Sequence, residues 1–125
     1  MLIFLVCGTV SAQDSWTAPI AANDLVSPFA MNDEKAIQKG EKIFGKLCWT
    51  CHGETGRGDG VISQDLNPNP ADLTTAAAQA QSDGSFYWKV TQGKGEMTGY
   101  ADALSETQRW QLVAFIRSLA KEREE

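Results

Sequence analysis

Histidine occurs once in this sequence, cysteine three times, and the 11 lysines and arginines are outnumbered by 16 aspartates and glutamates. Each shortage removes a class of function. A formal net charge of -5, with a pI of about 4.8, makes the surface repel the phosphate backbone of a nucleic acid rather than attract it. The apolar run in MLIFLVCGTVSA, at residues 1–12, falls short of the roughly 20 residues that a membrane-spanning helix needs. No segment alternates apolar and polar residues as a half-buried strand would, and no internal repeat is present. At 125 residues the chain has the length of one domain, which leaves no room for a catalytic domain beside a carrier domain. Its 42% hydrophobic and 22% charged content is that of an ordinary globular protein.

Residues 1–12 have the length of a signal-peptide core and end in Val10-Ser11-Ala12, small residues of the kind found at a cleavage site. The mature chain is therefore expected to start near Gln13, and the protein to be periplasmic or otherwise exported. Cys7 is read as part of that leader and not as a lipid anchor, because Val6 before it is larger than the residue such sites carry. Residues 13–31 mix Pro19, Pro28, Asn23 and isolated apolar residues without a period and read as an irregular arm. Trp16 either folds back onto the domain or trails in solvent. The domain proper is expected at 32–121, followed by a charged tail at 122–125.

Within that domain the signals are helical. Asn32 is placed to cap a helix whose first turn carries Asp33 and Glu34, favourable at the positive end of the dipole. Its apolar positions Ile37, Phe44 and Leu47 recur at helical spacing. Gly40 inside this helix costs about 1 kcal/mol against alanine, so close approach of another backbone is the better reason for it. The stretch GETGRGDG and the prolines Pro68 and Pro70 exclude regular structure in the following loop. SDGSFYWKVTQG reads as a short helix capped by Ser82 and stopped by Gly93. From Ser105 to Leu119, a capping box of Ser105 with Gln108 opens a helix whose broad apolar face holds Trp110, Leu112, Val113, Phe115, Ile116 and Leu119. The fold class is all-α.

The first helix leads into Cys48-Trp49-Thr50-Cys51-His52, which gathers two cysteines and the single histidine into five positions. A structural zinc site needs four cysteine or histidine ligands, and with the leader cysteine gone the chain has three, too tightly spaced to close one tetrahedron unless two chains share a site. A redox dithiol belongs after a strand at a helix N-terminus, and here the motif follows a helix. Haem attachment suits the geometry. Cysteines at i and i+3 of a helical turn point the same way, so each thiol can add to one vinyl group on the same edge of a porphyrin, and His52 then points across the ring toward iron. C-x-x-C-H is the signature of such attachment.

With these residues on the page, the chain resembles the class I c-type cytochromes. The resemblance runs from about Gly40 to Leu119 through Gly40 and Phe44, CWTCHG, GRGDG, LNPNPADLT, DGSFYWKV, Gly95-Glu96-Met97 and LSETQRWQLVAFIRSL. It implies a small helical domain wrapped around one covalently attached haem c, with the first and last helices crossing so that Gly40 and Phe44 meet Leu112 and Phe115. It also implies that Met97 is the second axial ligand opposite His52, since it lies in the glycine-bounded loop before the last helix where the family places its methionine. Met31 lacks such a loop. The family commonly has proline after this methionine, whereas this chain has Thr98-Gly99, which suggests a looser loop. His/Met ligation favours ferrous iron and fills the sixth position, the arrangement of a soluble single-electron carrier rather than an enzyme. The alternative is a haem enzyme or a gas or redox sensor with an exchangeable sixth ligand.

The remaining assignments are neighbours of the haem. The Pro70 carbonyl is a candidate acceptor for the second ring N–H of His52, with a rigid turn as the rival reading. Arg57 is a candidate partner for a propionate, against simple solvation; Trp88 or Tyr100 could donate a hydrogen bond there, against core packing for Trp88. Leu73 is expected against the ring by family resemblance. The acidic surface suggests redox partner proteins with a basic docking face.

Overall fold

The structure is a computed structural model that describes residues 16–120. The expected leader at 1–12, the first residues of the arm at 13–15 and the tail at 122–125 lie outside the described residues. Among the described residues five α-helices follow one another: α1 (Glu34–Leu47), α2 (Trp49–His52), α3 (Ala76–Gln79), α4 (Asp83–Gln92) and α5 (Glu106–Ser118). Among the described residues there is no strand, only a single bridge between Lys94 and Met97.

Helix α1 starts one residue later than its sequence suggests. Asp33, not Asn32, is the N-cap, and its carboxylate accepts from the Ala36 N–H at 3.0 Å. An aspartate there adds negative charge to the capping bond at the positive helix end. The glycine in the middle of α1 has the expected reason. A Cβ on Gly40 would overlap the Gln111 carbonyl oxygen and lie 2.8 Å from Phe115 Cβ, so α1 crosses α5 with backbone almost touching backbone. One turn on, Phe44 is 2% exposed and its ring sits 5.1 Å from that of Phe115, with Leu112 buried in the same cluster. Among the described residues the α1–α5 crossing is the most extensive helix pairing.

The other helix ends follow their sequence signals. Ser105 and Gln108 form the reciprocal capping box, with Gln108 N–H donating to Ser105 Oγ at 3.1 Å and Ser105 N–H to Gln108 Oε1 at 2.9 Å. Ser82 caps α4 by accepting from Ser85 N–H at 3.0 Å, and Gly93 ends it with φ of 66°. Helix α3 was not anticipated. Thr75 caps it by accepting from Ala78 N–H at 3.1 Å, and one turn of alanines is too short to display a period.

The arm packs on the domain. Ile20–Asp24 form a 3-10 turn whose Ala22 is 3% exposed, and Gly84 of α4 lets the Ala22 carbonyl approach where a side chain would collide. Trp16 folds back: its ring lies 6.3 Å from that of Trp88, and Lys89 Nζ stands 5.4 Å above it.

Candidate functional site

Cys48 ends α1 and begins the single turn of α2, which carries Cys51 and His52. Both cysteines are free thiols. Burial, reinforced by the neighbouring Cys51, pushes the Cys48 thiol up to about 12, so it stands as a neutral thiol at physiological pH. Burial also pushes the His52 imidazole below its ordinary range, against the opposing pull of a backbone hydrogen bond, which leaves the ring neutral.

That backbone bond decides the tautomer. His52 Nδ1 lies 3.1 Å from the Ala71 carbonyl oxygen, and since a carbonyl only accepts, Nδ1 donates and Nε2 keeps its lone pair. The acceptor is Ala71 and not the expected Pro70. Pro70 instead packs its carbonyl against Gly58, where a Cβ would come within 2.6 Å of the oxygen. The turn of the chain through residues 68–72 thus offers the next carbonyl to the ring. The tautomer is the one that suits a metal ligand.

A ladder of backbone bonds holds this turn from outside. Gly58 N–H donates to the His52 carbonyl at 2.8 Å, Gly60 N–H to Cys51 at 3.1 Å, and Ile62 N–H to Thr50 at 3.1 Å. The glycines of GETGRGDG make the approach possible: a Cβ on Gly60 would overlap the Thr50 carbonyl, and Gly53 leaves α2 with φ of 81°. On the inner side Leu73, 9% exposed, belongs to the core and its N–H donates to the Gly56 carbonyl at 2.7 Å.

Met97 sits in a tight turn, Lys94-Gly95-Glu96-Met97, closed by two 3.0 Å bonds between Lys94 and Met97. Its side chain is half-buried, while Met31 is 88% exposed. The Thr98-Gly99 sequence does not leave the loop slack. Gly93 and Gly99 press the two limbs together: a Cβ on Gly99 would lie 2.5 Å from the Gln92 carbonyl oxygen and one on Gly93 2.5 Å from that of Met97. Tyr100 N–H then donates to Val90 at 2.9 Å. Proline stiffening is replaced by close backbone contact with the end of α4.

Of the other expected residues, Arg57 is exposed on the glycine loop and Trp88 is half-buried against Trp16. The Tyr100 hydroxyl donates to the Leu47 carbonyl at 3.4 Å, joining the methionine loop to the end of α1. Two arginines were missed. Arg109, 7% exposed, donates to the carbonyls of Ala101 at 3.0 Å and Leu104 at 2.5 Å and to the Tyr87 hydroxyl at 2.8 Å, tying the chain after Met97 to α4 and α5. Arg117 binds the Asp83 carboxylate at 2.6 Å and the Gln79 carbonyl at 2.7 Å. Gln79 in turn donates to the Leu73 carbonyl at 2.8 Å and the Ile116 carbonyl at 3.0 Å, so α3 fixes Leu73. The signal was in the spacing: Arg109, Val113 and Arg117 recur every fourth residue on one face of α5, the first two buried and the third partly so.

Two thiols on one turn beside a neutral imidazole whose Nδ1 is already spent suit an iron porphyrin attached through thioethers. Comparison with known proteins agrees. Residues 37–120 match the family model described as Cytochrome c. No curated protein matches the chain significantly. Among solved structures, a chain of the reducing HAO-like protein complex of Kuenenia stuttgartiensis is similar over 74% of this chain, at 33% sequence identity and a TM-score of 0.65. The match covers 46% of that chain, so the present protein spans less than half the length of this relative.

Proposed function

The chain belongs to the cytochrome c family, which carries covalently attached haem c, and from that premise we propose that it is a single-electron carrier with His52 and Met97 as axial ligands. The haem is held through thioethers at Cys48 and Cys51. The observation that carries this reading is the His52 Nδ1–Ala71 bond within the turn that presents both thiols. It leaves Nε2 as the ligating atom and fixes the ring plane.

Bound haem supplies a one-electron iron couple, and the side chains tune and shield it. Met97, presented by the clamped turn, offers a soft thioether that favours the ferrous state and keeps small oxidants from the sixth position. Leu73 and Phe44 supply apolar wall on the inner side. The leader-like residues 1–12 support export, and no helix among the described residues is long and apolar enough to cross a membrane. Similarity to a chain of a multiprotein complex supports protein partners on either side of the transfer.

The test is spectroscopic. The ferric haem-loaded protein is expected to show the near-infrared methionine-to-iron band, and the ferrous protein to bind carbon monoxide slowly. Met97→Ala should abolish the band and bind carbon monoxide at once, while Met31→Ala should change neither. A band that survives Met97→Ala, or a wild-type protein with no band and fast binding, would replace the carrier with the sensor or enzyme alternative.

A further inference from the structure

Helix α3 is four residues long and buries none of them. A single turn is marginal by itself, and most helices in proteins are stabilised by packing an apolar face, which Ala76, Ala77, Ala78 and Gln79 do not supply. The one long side chain of α3 is Gln79, and both N–H groups of its amide are engaged. Nε2 donates to the Leu73 carbonyl at 2.8 Å and to the Ile116 carbonyl at 3.0 Å, while Oε1 accepts from Arg117 Nη1 at 3.3 Å. Two carbonyls on the nitrogen side and a guanidinium on the oxygen side admit one orientation of the amide. Arg117 also donates to the Gln79 carbonyl at 2.7 Å, so α5 grips this residue by side chain and backbone together. The end of α5 does not need the amide, because the Ile116 carbonyl already accepts from Leu119 N–H at 3.2 Å. What Gln79 adds is the bond to Leu73.

Leu73 lies two residues past Ala71, whose carbonyl accepts the hydrogen bond from His52 Nδ1. Residues 66–75 form no helix or strand, so no repeating backbone pattern fixes where that carbonyl points. Leu73 is instead anchored from two sides. Its N–H donates to the Gly56 carbonyl of the glycine loop at 2.7 Å, and its carbonyl is tied through Gln79 to α5. Asp72 stiffens the turn between them, accepting from Thr74 N–H at 2.9 Å and from the Thr74 hydroxyl at 2.6 Å. A short braced span, Ala71-Asp72-Leu73, thus joins the Gln79 amide to the atom that orients the imidazole.

We propose that Gln79 is a positioning residue for His52: by tying the Leu73 carbonyl to α5 it holds the Ala71 carbonyl on Nδ1 and so sets how strongly Nε2 donates to bound iron. A carbonyl held firmly on the Nδ1 proton makes the imidazole more basic, which favours ferric iron; a slack one weakens the ligand and favours ferrous iron. Helix α3 then exists to aim one amide, which accounts for a turn that buries nothing. The inference rests on His52 as an iron ligand, as read above, and does not depend on Met97.

The test uses the haem-loaded protein and follows solvent exchange of the His52 Nδ1 proton by nuclear magnetic resonance. Gln79→Met keeps the length and neutrality of the side chain and removes its donors; exchange should quicken about tenfold or more, the lower end of what the outer partner of a ligating histidine contributes. In a buffer of fixed potential the same variant should hold a larger ferrous fraction than wild type. Gln79→Asn keeps the amide but shortens its reach by one methylene and should behave alike, so a variant that fails to fold does not decide the matter. Arg109→Met weakens the fold away from residues 71–73 and serves as the control: its exchange should stay within about twofold of wild type. Exchange unchanged in both Gln79 variants, or quickened as much by Arg109→Met, overturns the proposal and leaves Gln79 a purely structural tie. A wild-type protein in which the His52 ring protons show no iron-induced shift removes His52 as a ligand, and this inference falls with the carrier reading; shifted ring protons with unchanged exchange remove this inference alone.

Discussion

Replacing Gly40 by alanine tests the crossing on which the fold depends. The added methyl carbon would lie 2.7 Å from the Gln111 carbonyl carbon and 2.8 Å from Phe115 Cβ, against an optimum of about 3.5–4.0 Å between carbons. The obstacle is mainly backbone in a helix interior, so it cannot swing aside; α1 and α5 must separate by roughly 0.7 Å or more. A gap of that size forfeits about a quarter to a half of each contact between Phe44 and Phe115. Overpacking of this kind costs about 3 kcal/mol at the upper end, and alanine returns about 1 kcal/mol of helix propensity, leaving a net loss of about 2 kcal/mol. For a domain of this size that lowers Tm by roughly 8–16 °C. Thermal melts of the haem-loaded protein followed at the helical circular dichroism band measure it. Gly45 provides the matched control: nothing lies within 4 Å of its added Cβ, so Gly45→Ala on the same helix should raise stability by up to about 1 kcal/mol. A Gly40→Ala protein that melts with or above wild type would mean the two helices do not meet at this point.

Three further outcomes are expected. Arg109→Met removes the donors to Ala101, Leu104 and Tyr87 and should cost about 3 kcal/mol in urea unfolding, whereas an unchanged midpoint would show those bonds to be idle. Gly84→Ala places a methyl against the Ala22 carbonyl and should release the arm, seen as faster proteolysis between residues 16 and 31 with little change in the melt of the domain; equal cleavage rates would contradict the seating of the arm. In the haem-free chain burial first, and the nearby thiols second, raise the Tyr100 phenol above its usual value. The unfolded chain then loses that proton first, so stability should fall as pH climbs past about 10, and Tyr100→Phe should flatten the fall; identical pH profiles would count against it.

What was readable in the sequence was local. Ser105 with Gln108, Ser82 and Gly93 each act on atoms within four residues, and CWTCH compresses its chemistry into one turn. Gly40 was readable because a glycine in a strong helical pattern asks for a neighbour. The misjudged features involve partners distant along the chain or signals too short to repeat. Whether Pro70 or Ala71 meets His52 depends on how a loop lies 19 residues away. Arg109 and Arg117 look like solvent-facing charges until α3 and the segment after Met97 cover them. The slackness expected of Thr98-Gly99 was inferred from a missing proline, but the same glycine permits a tighter backbone contact than proline would supply.

The rungs from Gly58, Gly60 and Ile62 to His52, Cys51 and Thr50 advance two residues on one side for each one on the other. Such a zipper is sensitive to length and tolerant of spelling. Inserting or deleting a single residue between Gly58 and Gly60 would throw the Gly60 and Ile62 teeth out of step together, whereas the exposed Glu54 and Thr55 could be exchanged freely. Over evolutionary time the stretch from Gly58 to Ile62 should therefore keep its number of letters while Glu54 and Thr55 drift in theirs.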